Sequence, residues 1–252
     1  MLTDAELAAH LAKSAGKILL QLRAANMADG KALGNIGDQT ANQFLVDALG
    51  QHRPDDGLLS EESKDTKERL AMERVWIIDP IDGTREYGEQ RTDWAVHVGL
   101  AIGGKPVAGA VALPALDAVL RSDRPCVVPP APGRLRLVVS RTRPPEVALA
   151  LSGALDAEIL PMGSAGAKAM AIVRGEADIY LHAGGQFEWD SCGPVAVALA
   201  HGLHCSRIDG SEIAYNQPDT YLPDLLICRQ EHAEATLRFV AQFQAGKIAP
   251  TS

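Results

Sequence analysis

The segment VWIIDPIDGTREY, Val75 to Tyr87, sets the strongest constraint on how this chain folds. Val75 to Ile78 read as a buried strand, and Asp79 and Asp82 follow it three residues apart. Pro80 withholds a ladder donor and is expected to stop the strand at Asp79, while Gly83 frees the backbone ahead of a helical turn. Both carboxylates then share one sharp loop at a strand end. Two anions held that close repel unless a cation lies between them, and a hard, oxygen-preferring ion such as Mg²⁺ answers the need. The plain alternative is that the aspartates only cap a helix and a turn. Two further acidic segments weigh against it: LLSEES, with Glu61 and Glu62, and FEWDSCGP, with Asp190, each at the end of another apolar segment. An aspartyl-nucleophile loop, D-x-D-G-T, does not fit, because the extra residue here turns the second aspartate away from the first.

The rest of the chain supplies the frame. With 252 residues and 46% hydrophobic composition it can bury a real core, as one large domain or two small ones. A formal charge of −8 disfavours a grip on nucleic acid. The N-terminus carries Asp4 and Glu6 where a secretion signal would be basic, and no apolar run approaches the ~20 residues of a membrane span. A cytoplasmic protein without a membrane segment is expected. Cys126, Cys192, Cys205 and Cys228 form no C-x-x-C pair and read as reduced, mostly buried thiols.

Thr3 and Glu6 predict a capping box opening an amphipathic helix to about Asn26, and a second helix is expected from Asp38, as N-cap or first-turn residue, to Gly50. Strands follow at Val75–Ile78, Trp94–Ile102, Val107–Leu113 and Leu116–Leu120, with a turn at Gly103-Gly104, giving a mixed or antiparallel sheet. The proline-rich segment Arg124–Arg134 divides the chain into an N-terminal α+β sub-domain, residues 1–125, and a C-terminal α/β sub-domain, residues 134–252. In the second, strands RLVVS, AEILP and ADIYLH alternate with helices from Pro144, Ala165 to Arg174 and Ser191 to His201, and a strand near Leu225–Cys228 and a helix Glu231–Phe243 follow.

WIIDPIDGT, SEES and EWD, in that order, resemble the motifs of the inositol monophosphatase superfamily of Mg²⁺-dependent, lithium-sensitive phosphatases. The resemblance covers most of the chain and implies an α/β fold, a layered αβαβα sandwich, that often forms homodimers. It also implies two or three Mg²⁺ ions held by Glu61, Asp79, the Ile81 carbonyl, Asp82 and Asp190. Metals so held activate a water and stabilise the leaving oxygen in one in-line displacement. Gly83 and Thr84 are placed to offer backbone N–H groups to a phosphate. Thr84 and Asp38 resemble the catalytic pair that orients the water, although the family's V-T-x-x-D reads GNIGD here and its threonine is absent.

DGTREY and HAGGQFEWD are similar to the CysQ-type 3'(2'),5'-bisphosphate nucleotidases. That implies hydrolysis of 3'-phosphoadenosine 5'-phosphate to AMP and phosphate, in sulfur assimilation, with inositol 1-phosphate and fructose 1,6-bisphosphate as alternative substrates. A non-catalytic nucleotide- or metal-binding protein is the reading from another class, and the intact ligand set and Thr84 argue against it. Arg141, Arg143, Ser164 and Lys168 are candidates for the substrate's second phosphate, and Asp82, Gly83, Thr84 and Asp190 complete the expected substrate contacts. The bland reading of the first group is caps and solvated charges. His201 and His204 lack a third nitrogen ligand and read as solvated turn residues, Trp94 and Trp189 as packing residues with Trp189 bordering the pocket, and Glu188 as structural or substrate-facing.

Overall fold

The computed structural model describes residues 2–130 and 133–247, so Ala131 and Pro132 of the linker, and Met1 and 248–252 at the ends of the two expected sub-domain ranges, lie outside the described residues. Helix α1, Asp4–Ala24, opens on the expected capping box, with Thr3 Oγ1 accepting the Glu6 N–H at 3.2 Å and Glu6 Oε2 accepting the Thr3 N–H at 3.0 Å. Helix α2, Gly30–His52, starts eight residues before the expected Asp38 and runs past Gly50. Asp38 is therefore a buried mid-helix residue and not a cap. The early start follows from packing: a Cβ on Gly34 would meet Thr84 Cγ2 at 2.7 Å and one on Gly37 would meet Ile81 Cδ1 at 2.7 Å, so the glycines let this helix lie against the acidic loop.

Strands β1 Gly57–Ser60, β2 Arg74–Asp82, β3 Ala95–Ile102, β4 Lys105–Leu113 and β5 Ala118–Arg121 form a first sheet in that order, parallel between β1 and β2 and antiparallel thereafter. Strand β2 does not stop at Asp79: Asp79 pairs with His97 and Asp82 with Ala95 across a bulge that takes up Pro80 and Ile81. A bulge accommodates the missing proline donor without ending the pairing. Helix α3, Thr84–Gly88, follows directly, with Gly83 at φ 90°.

The second sheet has the order β7-β6-β8-β10-β9, from β6 Arg136–Ser140, β7 Glu158–Met162, β8 Ile179–Phe187, β9 His204–Ser206 and β10 Tyr221–Cys228. Helices α4 Glu146–Ala154, α5 Ala165–Val173, α6 Glu188–Ala200 and α7 Gln230–Gln244 flank it. Alternation along the strands decides the layers. Leu137, Val139, Ile179 and Leu181 pack with Val147 and Leu151 of α4 and Val240 of α7, whereas Val138, Tyr180, Leu225 and Ile227 pack with α5 and α6. In the first sheet Trp76, Ile78, Val96 and Val98 face α1 and α2. Its other face receives α6, which lies close because Gly99 and Gly109 bear no side chain; a Cβ on Gly99 would stand 2.7 Å from Gly193 N. The result is the five-layer αβαβα sandwich expected, with α5 and α6 between the sheets. No helix among the described residues is long and apolar enough to cross a membrane.

His204 lies in β9 and His201 closes α6, both half-buried, with their rings bonded to Ser206 Oγ and the Val197 carbonyl at 2.8 Å, which replaces the expected solvated turn. Cys192 and Cys228 are buried and Cys205 half-buried, while Cys126 is exposed.

Candidate active site

Strand ends from both sheets meet in a cleft of about 320 Å³ whose walls include Glu61, Asp82, Gly83, Arg143, Ser164 and Asp190. At its foot single oxygens of Asp79, Asp82 and Asp190 all lie within 4.8 Å of one another. The β2 bulge supplies the first two, and the first turn of α6, which begins three residues before the expected Ser191, supplies the third. Asp190 is fixed there by accepting the Phe187 N–H at 2.6 Å. Glu61, just past β1, stands outside that trio and is exposed as a residue, but its carboxylate reaches toward Asp79.

The electrostatics are those of anions without a counter-charge. Burial, and then the charges of Glu61, Asp82 and Asp190, hold the Asp79 carboxyl well above the usual range, and its Oδ1 is buried without a partner. Lost hydration and Asp190 push Glu61 up to about 8, and burial with Asp82 pushes Asp190 to about 6. Such a set of oxygens, one of them orphaned, fits a hard divalent cation.

Asp82 is the exception. Burial alone would raise its pKa, yet His97, Lys168 and the Ser164 hydroxyl hold it down at about 2. It receives the backbone N–H groups of Ala165 at 3.1 Å and Gly166 at 2.6 Å at the start of α5, the Ser164 hydroxyl at 2.5 Å, and His97 Nε2 stands 3.1 Å away. His97 is wholly buried; burial lowers its pKa, but the Asp82 carboxylate outweighs this and raises it. Sequence reasoning missed His97. Its signal was a lone histidine in the apolar strand WAVHVGL.

Asp38 reaches the same corner from α2. Burial, followed by Glu62, raises it to about 7, with Thr84 opposing, and its Oδ1 also lacks a partner. The Thr84 hydroxyl itself donates to the Ile81 carbonyl at 3.1 Å, which places Thr84 and Ile81 together.

The expected phosphate contacts divide. Arg141 donates from Nε to Glu86 Oε1 and from Nη2 to Glu89 Oε2, each at 2.7 Å, and so clasps the end of β6 to α3. Arg143, exposed in the cleft wall, has no ion pair among the described residues. Lys168 is buried and donates to the Gly163 and Ser164 carbonyls at 3.1 and 2.6 Å, and Ser164 caps α5 through the Ala167 N–H at 2.9 Å. Glu188 is structural: its carboxylate accepts the Asn216 and Gln217 N–H groups at 2.6 and 2.7 Å. Trp189 borders the cleft, stacked on Phe187 with ring centres 4.9 Å apart.

This arrangement can hold a cation against a phosphate ester, and the comparisons agree with it. Residues 3–126 and 134–245 match the inositol monophosphatase family. The chain is 48% identical to the 3'-phosphoadenosine 5'-phosphate phosphatase of Mycobacterium leprae, over 96% of this chain and 94% of that one. It is 52% identical to the protein of the same name from Mycobacterium bovis, over 90% and 89%. The crystal structure of CysQ from Bacteroides thetaiotaomicron superposes with a TM-score of 0.78 at 21% identity, covering 90% of this chain and 97% of that one. With the five-layer fold, the three acidic motifs and a family match spanning both sheets, this chain belongs to the inositol monophosphatase family.

Proposed function

We propose that this chain is a Mg²⁺-dependent phosphomonoesterase that removes the 3'-phosphate of 3'-phosphoadenosine 5'-phosphate, giving AMP and phosphate, in sulfur assimilation. The observation that carries the reading is the convergence of Asp79, Asp82 and Asp190 at the foot of a cleft, in a chain half identical to proteins named for that activity. Glu61, Asp79, the Ile81 carbonyl, Asp82 and Asp190 are the residues that would hold two or three ions. When bound, the ions supply charge neutralisation for the phosphoryl group and lower the pKa of a water. Asp38, raised to about 7, suits acceptance of a proton from that water at its unpartnered Oδ1, with Thr84 beside it orienting the oxygen. Gly83 and Thr84 offer their backbone N–H groups to the transferred phosphate. Arg143 faces the second phosphate, while Arg141 and Ser164 shape the wall and hold Glu86 and Asp82 in place.

We further propose that the halves 1–125 and 134–252 are the two sub-domains, that the enzyme is a cytoplasmic homodimer, and that lithium inhibits it. Phosphate release from 3'-phosphoadenosine 5'-phosphate, inositol 1-phosphate and fructose 1,6-bisphosphate, with Mg²⁺ and with chelator, tests the central reading. The highest kcat/KM is expected for the nucleotide. A higher value for inositol 1-phosphate or fructose 1,6-bisphosphate would reassign the substrate, and undiminished turnover in chelator would remove the metal.

A further inference from the structure

Gln186 lies near the end of β8, opposite Leu222 of β10, in the wall of the cleft. It is 6% exposed, yet neither its amide nitrogen nor its amide oxygen has a hydrogen-bond partner. Leaving such a group unpaired costs about 1–3 kcal/mol per atom, and buried polar groups in folded proteins are nearly all satisfied. Three other buried polar side chains of this wall are satisfied: Ser164 donates to Asp82 and accepts the Ala167 N–H, Lys168 donates to backbone carbonyls, and Asp82 accepts backbone and hydroxyl donors. Gln186 therefore brings to this wall an unused donor and an unused acceptor on a single planar group.

The neighbours narrow what that group is for. Phe187, 42% exposed, and Trp189 stack at an interplanar angle of 12° beside it, an aromatic face on which a planar base can lie. An adenine presents on one edge an acceptor, N7, and a donor, the N6 amine, and an amide matches both at once. Hypoxanthine presents two acceptors on the same edge, so the amide meets only one of them. Both amide atoms are buried in this structure, so reading a base requires the glutamine side chain to rotate toward the cleft that it lines.

We propose that Gln186 is a specificity-determining residue that reads the N6–N7 edge of the substrate's adenine. The inference rests on the nucleotide reading given above. It is tested by calorimetric titration of AMP, IMP and inorganic phosphate into the Mg²⁺-loaded enzyme, using wild type, Gln186→Met and Gln186→Leu, with thermal midpoints for each. Wild type should bind AMP roughly 10-fold or more tightly than IMP. Both variants should lose that difference while their phosphate affinity and thermal midpoint stay at the wild-type value, since no existing hydrogen bond is removed. Equal affinity of wild type for AMP and IMP, a preference that survives both substitutions, or a loss of phosphate binding and stability along with it would overturn the proposal. Turnover of 3'-phosphoadenosine 5'-phosphate by wild type, measured in parallel, separates the two readings: activity without base discrimination refutes Gln186 alone, and absence of activity refutes the nucleotide reading with it.

Discussion

Gly166→Ala is predicted to be severe, although glycine to alanine in a helix ordinarily stabilises by about 0.5–1 kcal/mol. Gly166 sits in the first turn of α5, and a Cβ there would stand 1.9 Å from His97 Nε2 and 2.9 Å from its Cδ2 and Cε1. The imidazole has nowhere to go: it is 0% exposed, and its Nδ1 is 3.1 Å from the Trp189 carbonyl. Either α5 lifts away, stretching the 2.6 Å bond from Gly166 N–H to Asp82, or His97 leaves Asp82. Overpacking costs about 1–3 kcal/mol, and fully breaking a buried charge pair about 3–5 kcal/mol. Partial relaxation of both puts the loss at about 3 kcal/mol. At roughly 2–4 °C per kcal/mol for a chain of this size, the thermal midpoint should fall by roughly 6–12 °C. Scanning calorimetry of wild type, Gly166→Ala, His97→Ala and the double variant supplies the check. Removing the imidazole makes room for the methyl, so Gly166→Ala should cost less than about 1 kcal/mol in the His97→Ala background, a coupling of about 2 kcal/mol or more. A cost within about 0.5 kcal/mol of zero in wild type, or an equal cost in both backgrounds, would refute the argument.

Asp79→Asn should abolish Mg²⁺-dependent phosphate release and weaken Mg²⁺ binding measured by calorimetry; wild-type turnover by this variant would remove Asp79 from the site. Asp38→Asn should instead slow single-turnover hydrolysis on the order of 10²–10⁴-fold while keeping most Mg²⁺ affinity, and loss of both together in a folded protein would move Asp38 into the metal shell. The raised carboxyls carry a pH prediction. Asp38 at about 7, Glu61 at about 8 and Asp190 at about 6 bind more protons folded than unfolded, so the metal-free protein should lose stability as pH rises from about 4 through 8. The rise in thermal midpoint on adding Mg²⁺ should accordingly be larger at pH 8 than at pH 5.5, and the opposite order would contradict it. Arg143→Ala should raise KM for the nucleotide bisphosphate more than for inositol 1-phosphate, whereas Arg141→Ala, which frees Glu86 and leaves Glu89 to Arg85, should affect both substrates alike; a bisphosphate-selective loss in Arg141→Ala would exchange their roles.

The sequence by itself determined the residues of the acidic centre and the alternation of elements that yields two sheets, because both are local. A strand ending in D-P-I-D-G-T, a capping box at Thr3 and Glu6, and period-two or helical spacing are set by neighbours a few residues apart. Contacts between distant segments decided the rest. Asp38 looked like a helix start because polar residues favour caps, but Gly34 and Gly37 carry α2 past it against Ile81 and Thr84. Pro80 looked like the end of a strand, and pairing with β3 carried β2 on to Asp82 through a bulge. Lys168 and Arg141 looked free for a phosphate, yet the fold brings carbonyls to one and two glutamates to the other. His97 and Gln186 could not be valued from spacing at all. Their meaning comes from what stands across the space: for the histidine, an aspartate fifteen positions earlier in the chain but 3.1 Å away, and for the glutamine, a cleft wall in which its own amide is unpaired. Burial sets the energy of a polar group, and burial is a property of the packed chain and not of the segment that carries it.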